Sequence, residues 1–382
     1  MNYKRKITDA RARLRTARRV VVKVGTSTLT HASGELNLWR IERLIRAMAD
    51  EINAGREIVF VTSGAIAAGR SRTRIKAATI PEKQALAAVG QGMLMHIYEK
   101  FFAEYGKIPA QILLTGEDAR HHSRYVNSRN ALLALIAMGV VPVVNENDAV
   151  STAEIKIGDN DTLSATVATL IDADALIILS DIDGVYTANP AVDTTAELID
   201  EITKITPAIE ELAGGAGTAR GTGGMRTKIE AAKIAMTGGV TMLIADGRAE
   251  NVLRRALSGE KIGTVFPARE AHLRLRKSYL AFGQKIAGTL TVDAGCEKAL
   301  SDGASLLAAG ITCVEGDFAA GDSARVLNKD GQEIARGSVN YDAPDLQKIM
   351  GRKTEEFATI LSRNSDELPE TVIHRDNLVM MK

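Results

Sequence analysis

The sequence predicts an α/β protein with a three-layer αβα arrangement around a mainly parallel sheet, followed by a small β-rich domain. Up to about residue 266, short aliphatic runs alternate with amphipathic stretches. The aliphatic runs are apolar at consecutive positions, which is typical of strands that are covered on both faces. Beyond residue 266 the apolar segments become shorter and are separated by Gly or Asp-Gly, a pattern that indicates hairpins.

Six segments in the first part have the composition of buried strands. Each is rich in β-branched or aliphatic residues and lacks the alternation of a strand that faces water on one side. Such strands form parallel sheets with helices on both faces. The predicted strands are Val20–Val24, Ile58–Thr62, Ala110–Thr115, Val140–Asn145, Ala175–Ser180 and Val240–Ala245.

The stretches between these runs have helical periodicity. In the first of them, Leu38, Ile41, Leu44 and Met48 recur every three or four residues, and Gly55 follows as a stop signal. Apolar residues at this spacing share the side of a helix that packs on the sheet. The other predicted helices cover residues 83–105, 125–139, 161–171 and 225–238.

The C-terminal part is predicted to be a separate domain that begins near residue 280. Its strand segments read IAGTLTV, ITCVEGDF, SARVLN and EIARGSVN, and Asp330-Gly331 between the last two predicts a hairpin. A helix is expected near residues 343–362. The predicted divisions are a basic N-terminal extension (1–19), an α/β domain (20–275), a linker (276–285), a β-rich domain (286–364) and a C-terminal tail (365–382).

Composition and charge exclude several classes of protein. Of the 382 residues, 45% are hydrophobic and 25% are charged, which is ordinary for a globular domain and excludes a disordered chain. The net charge of +1 hides an acidic C-terminal segment, in which 10 basic and 16 acidic residues follow position 285. This segment does not favour RNA, because phosphates are bound by basic groups. No apolar run approaches the ~18 to 20 residues needed to span a membrane.

The first 19 residues carry eight basic side chains and one acidic side chain. They lack the apolar core of a secretory signal, and we expect a solvated, partly helical extension. Cys296 and Cys313 are the only cysteines and have no metal or redox spacing. So few thiols in a chain of this length favour a reducing compartment, and a cytoplasmic location is expected.

Two predicted strands end in small residues that suit the binding of an anion. The first strand contains Lys23 near its end and leads to Gly25, and the second leads to Ser63 and Gly64 before a helix. Ligands of parallel α/β sheets gather at the carboxyl ends of strands, and a helix N-terminus offers free N–H groups to an anion. Ser63 is equally a candidate N-cap, and both interpretations stay open.

A dense polar block follows the fourth strand. Nine charged or amide side chains lie between Asn145 and Asp161, directly before an apolar helix. A solvated loop would explain any one of them, but not why the block joins a buried strand to that helix. Asp161 would lie in the first turn, where the helix dipole favours a carboxylate. We interpret the block as functional.

A second lysine follows a glycine-rich loop. Ser180 and Asp181 end the fifth strand, and the loop 221–224 opens a helix with Lys228 in its first turn. Flexible backbone, a helix N-terminus and a lysine suit nucleotide phosphates. No Walker A loop, dinucleotide-binding fingerprint or G-x-S-x-G elbow occurs. Two lysines without a metal-ligand cluster suit the transfer of an activated phosphoryl group, in which positioning and charge stabilisation dominate.

At these residues the sequence resembles the amino-acid kinase family, and within it the members that act on glutamate. The central block and the GTGGM-x-TK loop are specific in combination. Residues 286–364 resemble a PUA domain, and HRDNLV (374–379) resembles the C-terminal end of the family. The segments that carry the resemblance are VVKVGTS (21–27), IVFVTSGAIAAG (58–69), AAVGQ (87–91), PVVNENDAVSTAEIKIGDNDTLSA (142–165), GVYTANP (184–190) and GTGGMRTK (221–228).

The resemblance implies ATP-dependent phosphorylation of the side-chain carboxylate of L-glutamate, the first step of proline biosynthesis. Lys23 and Lys228 match the lysines that bind the phosphates, and Asp161 matches the carboxylate that holds them. The positions that match the glutamate site are Ser63, Asp148 and Asn160. The positions that match the nucleotide site are Lys23, Ser180, Asp181, Thr222, Gly223, Gly224, Met225, Arg226, Thr227 and Lys228.

The resemblance further implies Mg²⁺ carried on the ATP phosphates with no metal held by the protein, inhibition by proline, and a homo-oligomer, either a dimer or a tetramer. Two alternatives stay open. The chain could phosphorylate another amino acid, such as aspartate or N-acetylglutamate. It could also bind or modify RNA through the PUA-like module, which the acidic charge of that module disfavours.

Overall fold

The computed structural model describes residues 10–115, 118, 122–150, 159–190, 192–213, 224–268, 286–364 and 368–380. These residues form two compact units. The first comprises the described residues up to 268, except 122–126, which belong with residues 286–380 in the second. Across the described ranges, no helix has both the length and the apolarity needed to cross a membrane.

The first unit contains a seven-stranded sheet of strand order β3-β4-β2-β1-β5-β6-β7. All neighbours pair in parallel except the edge strand β7, which is antiparallel to β6. The strands are β1 (Arg19–Val24), β2 (Glu57–Val61), β3 (Pro109–Leu114), β4 (Val141–Glu146), β5 (Ala175–Ser180), β6 (Thr241–Asp246) and β7 (Thr264–Phe266).

Helices connect these strands and cover the sheet. The longest, α5, begins with a capping box in which the Thr79 hydroxyl and the Glu82 carboxylate each accept a backbone N–H of the other residue. The helices up to residue 268 are α1 (Ala10–Thr16), α2 (Thr26–Leu29), α3 (Leu38–Asn53), α4 (Ala65–Thr73), α5 (Ile80–Ala103), α6 (His122–Ala137), α7 (Asp159–Leu170), α8 (Pro207–Ala213), α9 (Met225–Thr237) and α10 (Val252–Leu257).

The predicted α/β fold class is confirmed. Each of the six predicted strands agrees with an observed strand to within one residue at both ends. The central strand β1 pairs with both β2 and β5, so that Val22 lies between Phe60 and Ile177. All three side chains are buried, as expected for strands that are apolar at consecutive positions.

The N-terminal segment differs from the solvated extension that we expected for residues 1–19. Within the described residues, Ala10, Leu14 and Ala17 are buried in the core of the first unit. Arg11 donates hydrogen bonds to the backbone carbonyls of Glu260, at 2.7 Å, and Ile262, at 2.8 Å. The basic composition concealed an amphipathic helix, whose arginines bond to carbonyls while the apolar side chains fill the core.

The second unit contains a five-stranded sheet of order β12-β11-β10-β8-β9. Only β8 and β10 pair in parallel. Its strands are β8 (Ile286–Val292), β9 (Ile311–Gly316), β10 (Ser323–Leu327), β11 (Glu333–Ser338) and β12 (Leu378–Met380), and its helices are α11 (Ala294–Ser301), α12 (Ala343–Ile349) and α13 (Phe357–Leu361).

Three expectations concern this second unit. The Asp330-Gly331 hairpin is confirmed, since β10 and β11 pair antiparallel around it and Gly331 has a φ of 78°. The helical region expected near residues 343–362 contains two short helices, α12 and α13. The segment 365–382 was expected to be a tail, yet β12 pairs with β11, and both Val372 and Ile373 are fully buried.

Candidate active site

The candidate site lies at the carboxyl ends of the central parallel strands. Lys23 lies near the end of β1, Thr62 and Ser63 follow β2, and Asn145 lies near the end of β4. Helix α7 brings Asn160 and Asp161 to the same edge, because both lie in its first turn. The sheet topology therefore assembles side chains that are far apart in the sequence.

Two lysines share one carboxylate in this site. The Lys23 ammonium donates to Asp161 Oδ1 at 2.5 Å, and the Lys228 ammonium donates to Asp161 Oδ2 at 3.1 Å. Asp161 is 0% exposed, Lys23 is 3% exposed and Lys228 is 4% exposed. Two positive charges therefore face one negative charge in a buried setting, and the excess charge favours an anion such as a phosphate.

The lysines keep Asp161 ionised. Burial raises the pKa of this carboxyl, but the charges of Lys23 and Lys228 and their hydrogen bonds outweigh that effect and hold the pKa well below its usual range. The Thr227 hydroxyl lies 3.0 Å from the same Asp161 Oδ2. Both carboxylate oxygens are therefore engaged by groups of this chain.

The helix that carries Lys228 also presents its N-terminus at the site. Gly224 is the N-cap of α9, and no side chain of the described residues caps this helix end. Met225 and Arg226 form the start of the first turn, so their backbone N–H groups are open to an anion. The two remaining predicted loop residues, Thr222 and Gly223, lie outside the described residues.

A second cluster surrounds the side-chain amide of Asn160. Its Nδ2 donates toward the Thr62 carbonyl at 2.6 Å, the Ser63 hydroxyl at 2.8 Å and Asn145 Oδ1 at 2.8 Å. Ser63 is not the N-cap of α4, an interpretation the sequence had left open. Gly64 takes that position with a φ of 93° and without a side-chain cap, so Ser63 remains free to face a ligand.

Two residues near this cluster, Gln91 and Tyr98, were not singled out from the sequence. Asn145 Nδ2 donates to Gln91 Oε1 at 2.8 Å, and the hydroxyls of Thr62 and Tyr98 lie 2.5 Å apart. Gln91 and Tyr98 are buried in α5 together with apolar side chains. Gln91 closes the AAVGQ segment, and this was the one available signal. Burial raises the pKa of Tyr98, which therefore stays protonated at neutral pH.

Asp148 lies just beyond β4 and is half-buried. Burial raises the pKa of its carboxyl. No hydrogen bond or ion pair to Asp148 is formed by the residues that the structure describes. The predicted block continues through residues 151–158, which lie outside the described ranges. A partly desolvated carboxylate without a partner suits a cationic group of a ligand.

Ser180 and Asp181 lie at the end of β5, next to β6. The Ser180 hydroxyl donates to Asp181 Oδ1 at 3.1 Å. Arg248 Nη2 donates to the Asp181 backbone carbonyl at 2.6 Å, and its guanidinium also bonds to the Asp246 carboxylate. This guanidinium links the ends of β5 and β6 and holds the turn in which Asp181 lies.

Comparison with known proteins identifies the family. The model of the amino acid kinase family matches residues 18–246, and that of the PUA domain matches residues 288–361. The chain belongs to the amino acid kinase family. The matched residues include every strand that forms the site, and they end at the last residue of β6.

Curated relatives of this family member match over almost the whole chain. The "Glutamate 5-kinase" of Moorella thermoacetica is 51% identical over 377 residues, which cover 98% of this chain and 99% of that protein. The proteins of the same name from Caldanaerobacter subterraneus subsp. tengcongensis and Carboxydothermus hydrogenoformans are each 51% identical. They are covered to 98% and 99% of their length.

The carboxylates of the site bear on how the Mg²⁺ that accompanies ATP would be held. Within the described ranges, no cluster of three or more His, Cys, Asp or Glu residues could hold a metal ion. Both oxygens of Asp161 lie within hydrogen-bond distance of Lys23, Lys228 or Thr227, and the two ammonium groups beside this carboxylate disfavour a cation. The residues present fit an ion that is bound mainly by phosphates of a nucleotide.

Proposed function

We propose that this chain transfers the γ-phosphoryl group of ATP to the side-chain carboxylate of L-glutamate, forming L-glutamyl 5-phosphate. The observation that carries the proposal is the buried Lys23–Asp161–Lys228 cluster, which lies beside the uncapped N-terminus of α9. The full-length similarity to glutamate 5-kinases supports glutamate as the acceptor.

In the proposed reaction a carboxylate oxygen of glutamate attacks the γ-phosphorus. The new P–O bond forms while the bond to the β–γ bridging oxygen breaks, and ADP leaves with that oxygen. A carboxylate is ionised at neutral pH, so no general base is required. Lys23 and Lys228 stabilise negative charge on the transferring group and the bridging oxygen, and Asp161 holds both lysines in place.

The nucleotide is proposed to bind between the ends of β5 and β6 and the start of α9. Ser180 and Asp181 and the loop 222–228 are its proposed contacts, with the N–H groups of α9 taking phosphate oxygens. Mg²⁺ bound to the ATP phosphates would neutralise part of their charge. Ser63, Asp148 and Asn160 are the proposed contacts of glutamate.

Three further properties stay predictions for this chain. Proline is proposed to inhibit at or near the glutamate pocket. A homo-oligomeric assembly follows only from the resemblance to the family. A cytoplasmic location is supported by the scarcity of cysteines, of which Cys296 and Cys313 are unpaired.

The proposal is tested by the choice of acceptor. The rate of ATP consumption is measured with L-glutamate, L-aspartate and N-acetyl-L-glutamate, each with and without free proline. Of the three acids, we expect only L-glutamate to support ATP consumption, and we expect a lower rate when proline is added. Turnover with another acid and none with glutamate would show that the proposed acceptor is wrong.

A further inference from the structure

Four side-chain amides form a directed chain of hydrogen bonds that ends at the candidate glutamate site. Asn160 donates to Asn145 at 2.8 Å, Asn145 donates to Gln91 at 2.8 Å, and Gln91 donates to Gln111 at 3.3 Å. Asn160, Asn145 and Gln91 are all buried. In each link the NH₂ group of one amide meets the oxygen of the next, so the links share one direction.

Backbone groups fix this direction at two points. The Glu146 N–H donates to Asn145 Oδ1 at 2.9 Å, so that atom must be the amide oxygen. The Thr62 carbonyl accepts from Asn160 Nδ2 at 2.6 Å, so that atom must be the amide nitrogen. Reversing either amide would place two donors or two acceptors together, and a buried polar atom without a partner is costly.

The fixed direction decides what the site offers to a ligand. Asn160 uses its NH₂ group within the protein and keeps its Oδ1 as an acceptor without a partner among the described residues. Ser63 Oγ lies 2.8 Å from Asn160 Nδ2, an amide nitrogen that cannot accept a hydrogen bond, so the Ser63 hydroxyl proton is not used there and can be donated to a ligand. Asp148 adds a half-buried carboxylate. The site therefore offers one hydrogen-bond donor, one acceptor and one negative charge.

We propose that Gln91 is a positioning residue that gives this site its preference for an amino acid. This inference rests on the proposed function. Both carboxylates of glutamate can only accept hydrogen bonds, whereas its α-ammonium can only donate. The Asn160 oxygen therefore bonds to the ammonium, with Asp148 supplying the opposite charge, and the Ser63 hydroxyl bonds to a carboxylate.

Gln91 acts through Asn145 and does not touch the substrate. Its Oε1 accepts a hydrogen bond from an N–H of the buried Asn145 amide, which would otherwise lack this partner. Without that acceptor the Asn145 amide shifts toward another acceptor, although the Glu146 N–H still fixes which end is the oxygen. The Asn145 oxygen then moves away from the NH₂ group of Asn160, to which it is bonded. Asn160 keeps its bond to the Thr62 carbonyl but is no longer held by Asn145. Its Oδ1 is then displaced from the position that faces the ammonium, so binding of the amino acid weakens.

The test compares Gln91→Met, which has a similar shape but no acceptor, with Gln91→Glu, which keeps an acceptor oxygen. Steady-state kinetics are measured with L-glutamate and with glutarate, which has the same carboxylates but no ammonium. For Gln91→Met we expect a KM for glutamate raised about tenfold, a kcat within about threefold, and an unchanged KM for ATP. The preference for glutamate over glutarate should fall by the same factor, and Gln91→Glu should restore it.

Tyr98→Phe is the matched control, because Tyr98 lies on the same helix, is equally buried and loses one hydrogen bond outside the amide chain. It should lower the melting temperature and leave the preference for glutamate over glutarate unchanged. If Gln91→Met does not fold, Gln91→Leu serves the same comparison. An unchanged preference in the Gln91 variant, or an equal loss in Tyr98→Phe, would overturn the positioning role. Absence of glutamate turnover by the unsubstituted enzyme would instead overturn the proposed function.

Discussion

Asp161 makes the burial of two lysines possible. A buried ammonium without a counter-charge normally loses its proton or opens the structure to water. Lys23 and Lys228 approach the two oxygens of the same carboxylate, at 2.5 Å and 3.1 Å. The charge that binds phosphate and the charge that holds the lysines are therefore parts of one cluster, and changing one member affects the others.

The Asp161→Asn variant is expected to be less stable and inactive. Removing one partner of a buried ion pair leaves an uncompensated charge and costs about 3–5 kcal/mol. Here the substitution leaves two ammonium groups facing each other. The free energy of unfolding, measured with urea at pH 7, should fall by an amount of this order. The neighbouring Ser164→Ala, which removes only a hydroxyl bonded to the Asp161 backbone carbonyl at 2.6 Å, should cost less.

The loss of stability in Asp161→Asn should depend on pH and become smaller as the pH falls. The pKa of Asp161 is lowered in the folded protein, so the unfolded chain binds its proton at a higher pH than the folded protein does. The stabilisation by this carboxylate is therefore complete above about pH 4 and decreases as the pH falls toward the folded pKa. The difference in unfolding free energy between wild type and Asp161→Asn should be constant from pH 5 to 7 and shrink below about pH 4. A difference that shrinks above pH 5 would contradict this.

The Lys228→Ala variant is expected to lower kcat more than it raises the KM for glutamate. Lys228 is assigned to charge that develops on the transferring phosphoryl group, and removing such a donor typically costs about 100-fold or more in rate. Lys233→Ala is the matched control, since Lys233 lies on the same helix and pairs with Glu210 and Glu230 at the surface. In steady-state kinetics, the kcat of Lys233→Ala should be close to that of the wild type. An unchanged kcat in Lys228→Ala would remove this residue from the site.

At the scale of elements, two glycines set the distance between α4 and α5. A Cβ atom at Gly69 would lie 1.9 Å from the Leu86 carbonyl oxygen, and one at Gly90 would lie 1.8 Å from the Ala65 carbonyl oxygen. The two helix backbones are therefore in direct contact. Helix α4 begins two residues after Ser63, and α5 carries Gln91, so this contact also holds the two sides of the candidate glutamate site.

Gly90→Ala is expected to destabilise the protein and to weaken glutamate binding. The added methyl group must separate the two helices, and overpacking of this kind costs about 1–3 kcal/mol or more. Gly92→Ala is the control on the same helix, because nothing lies within 4 Å of its Cβ position. A glycine replaced by alanine in an open helix position gains up to about 1 kcal/mol. The melting temperature should therefore fall in Gly90→Ala and stay equal or rise in Gly92→Ala. Shifts in the same direction and of similar size would contradict the close contact of the two helices.

The sequence predicts best those strands that consist of an unbroken run of apolar residues. β5 was predicted with its observed bounds because Ala175–Leu179 is apolar at every position and all six residues of the strand are buried. β7 was missed because its three residues, Thr264–Phe266, are too few to form a recognisable apolar run. Helix α1 was predicted to be solvated because arginines surround the few apolar residues of this segment, among them Leu14 and Ala17.

The candidate site divides in the same way. Asp161 and Lys228 each lie in the first turn of a helix. A charged residue at that position can be recognised from the local sequence. Gln91 acts through a partner 54 positions away in the sequence, and the Tyr98 hydroxyl, outside the amide chain, contacts Thr62, 36 positions away. No local pattern shows such partners, and only the assembled sheet reveals why these polar side chains are buried.

At the scale of the whole molecule, each unit has a core of its own. The core of the first unit draws on residues between Ala10 and Val265, and that of the second draws on residues between Leu290 and Leu378. All the proposed catalytic and substrate contacts lie in the first unit. A chain that ends near residue 280 should therefore fold and keep kinase activity, which is measured by circular dichroism and by ATP consumption with glutamate. An insoluble or inactive product would show that the second unit supports the first.

A chain that ends at residue 364 should behave differently, because the second unit needs its last residues. Val372 and Ile373 are fully buried, and burying such a side chain contributes about 1.5–3 kcal/mol. Backbone hydrogen bonds join Leu306 to both Val372 and Ile373, and β12 completes the sheet edge next to β11. Limited proteolysis should therefore degrade residues 286–364 of this truncated chain and leave a fragment of the first unit that still phosphorylates glutamate. Resistance of residues 286–364 equal to that in the full chain would show that β12 is dispensable for the second unit.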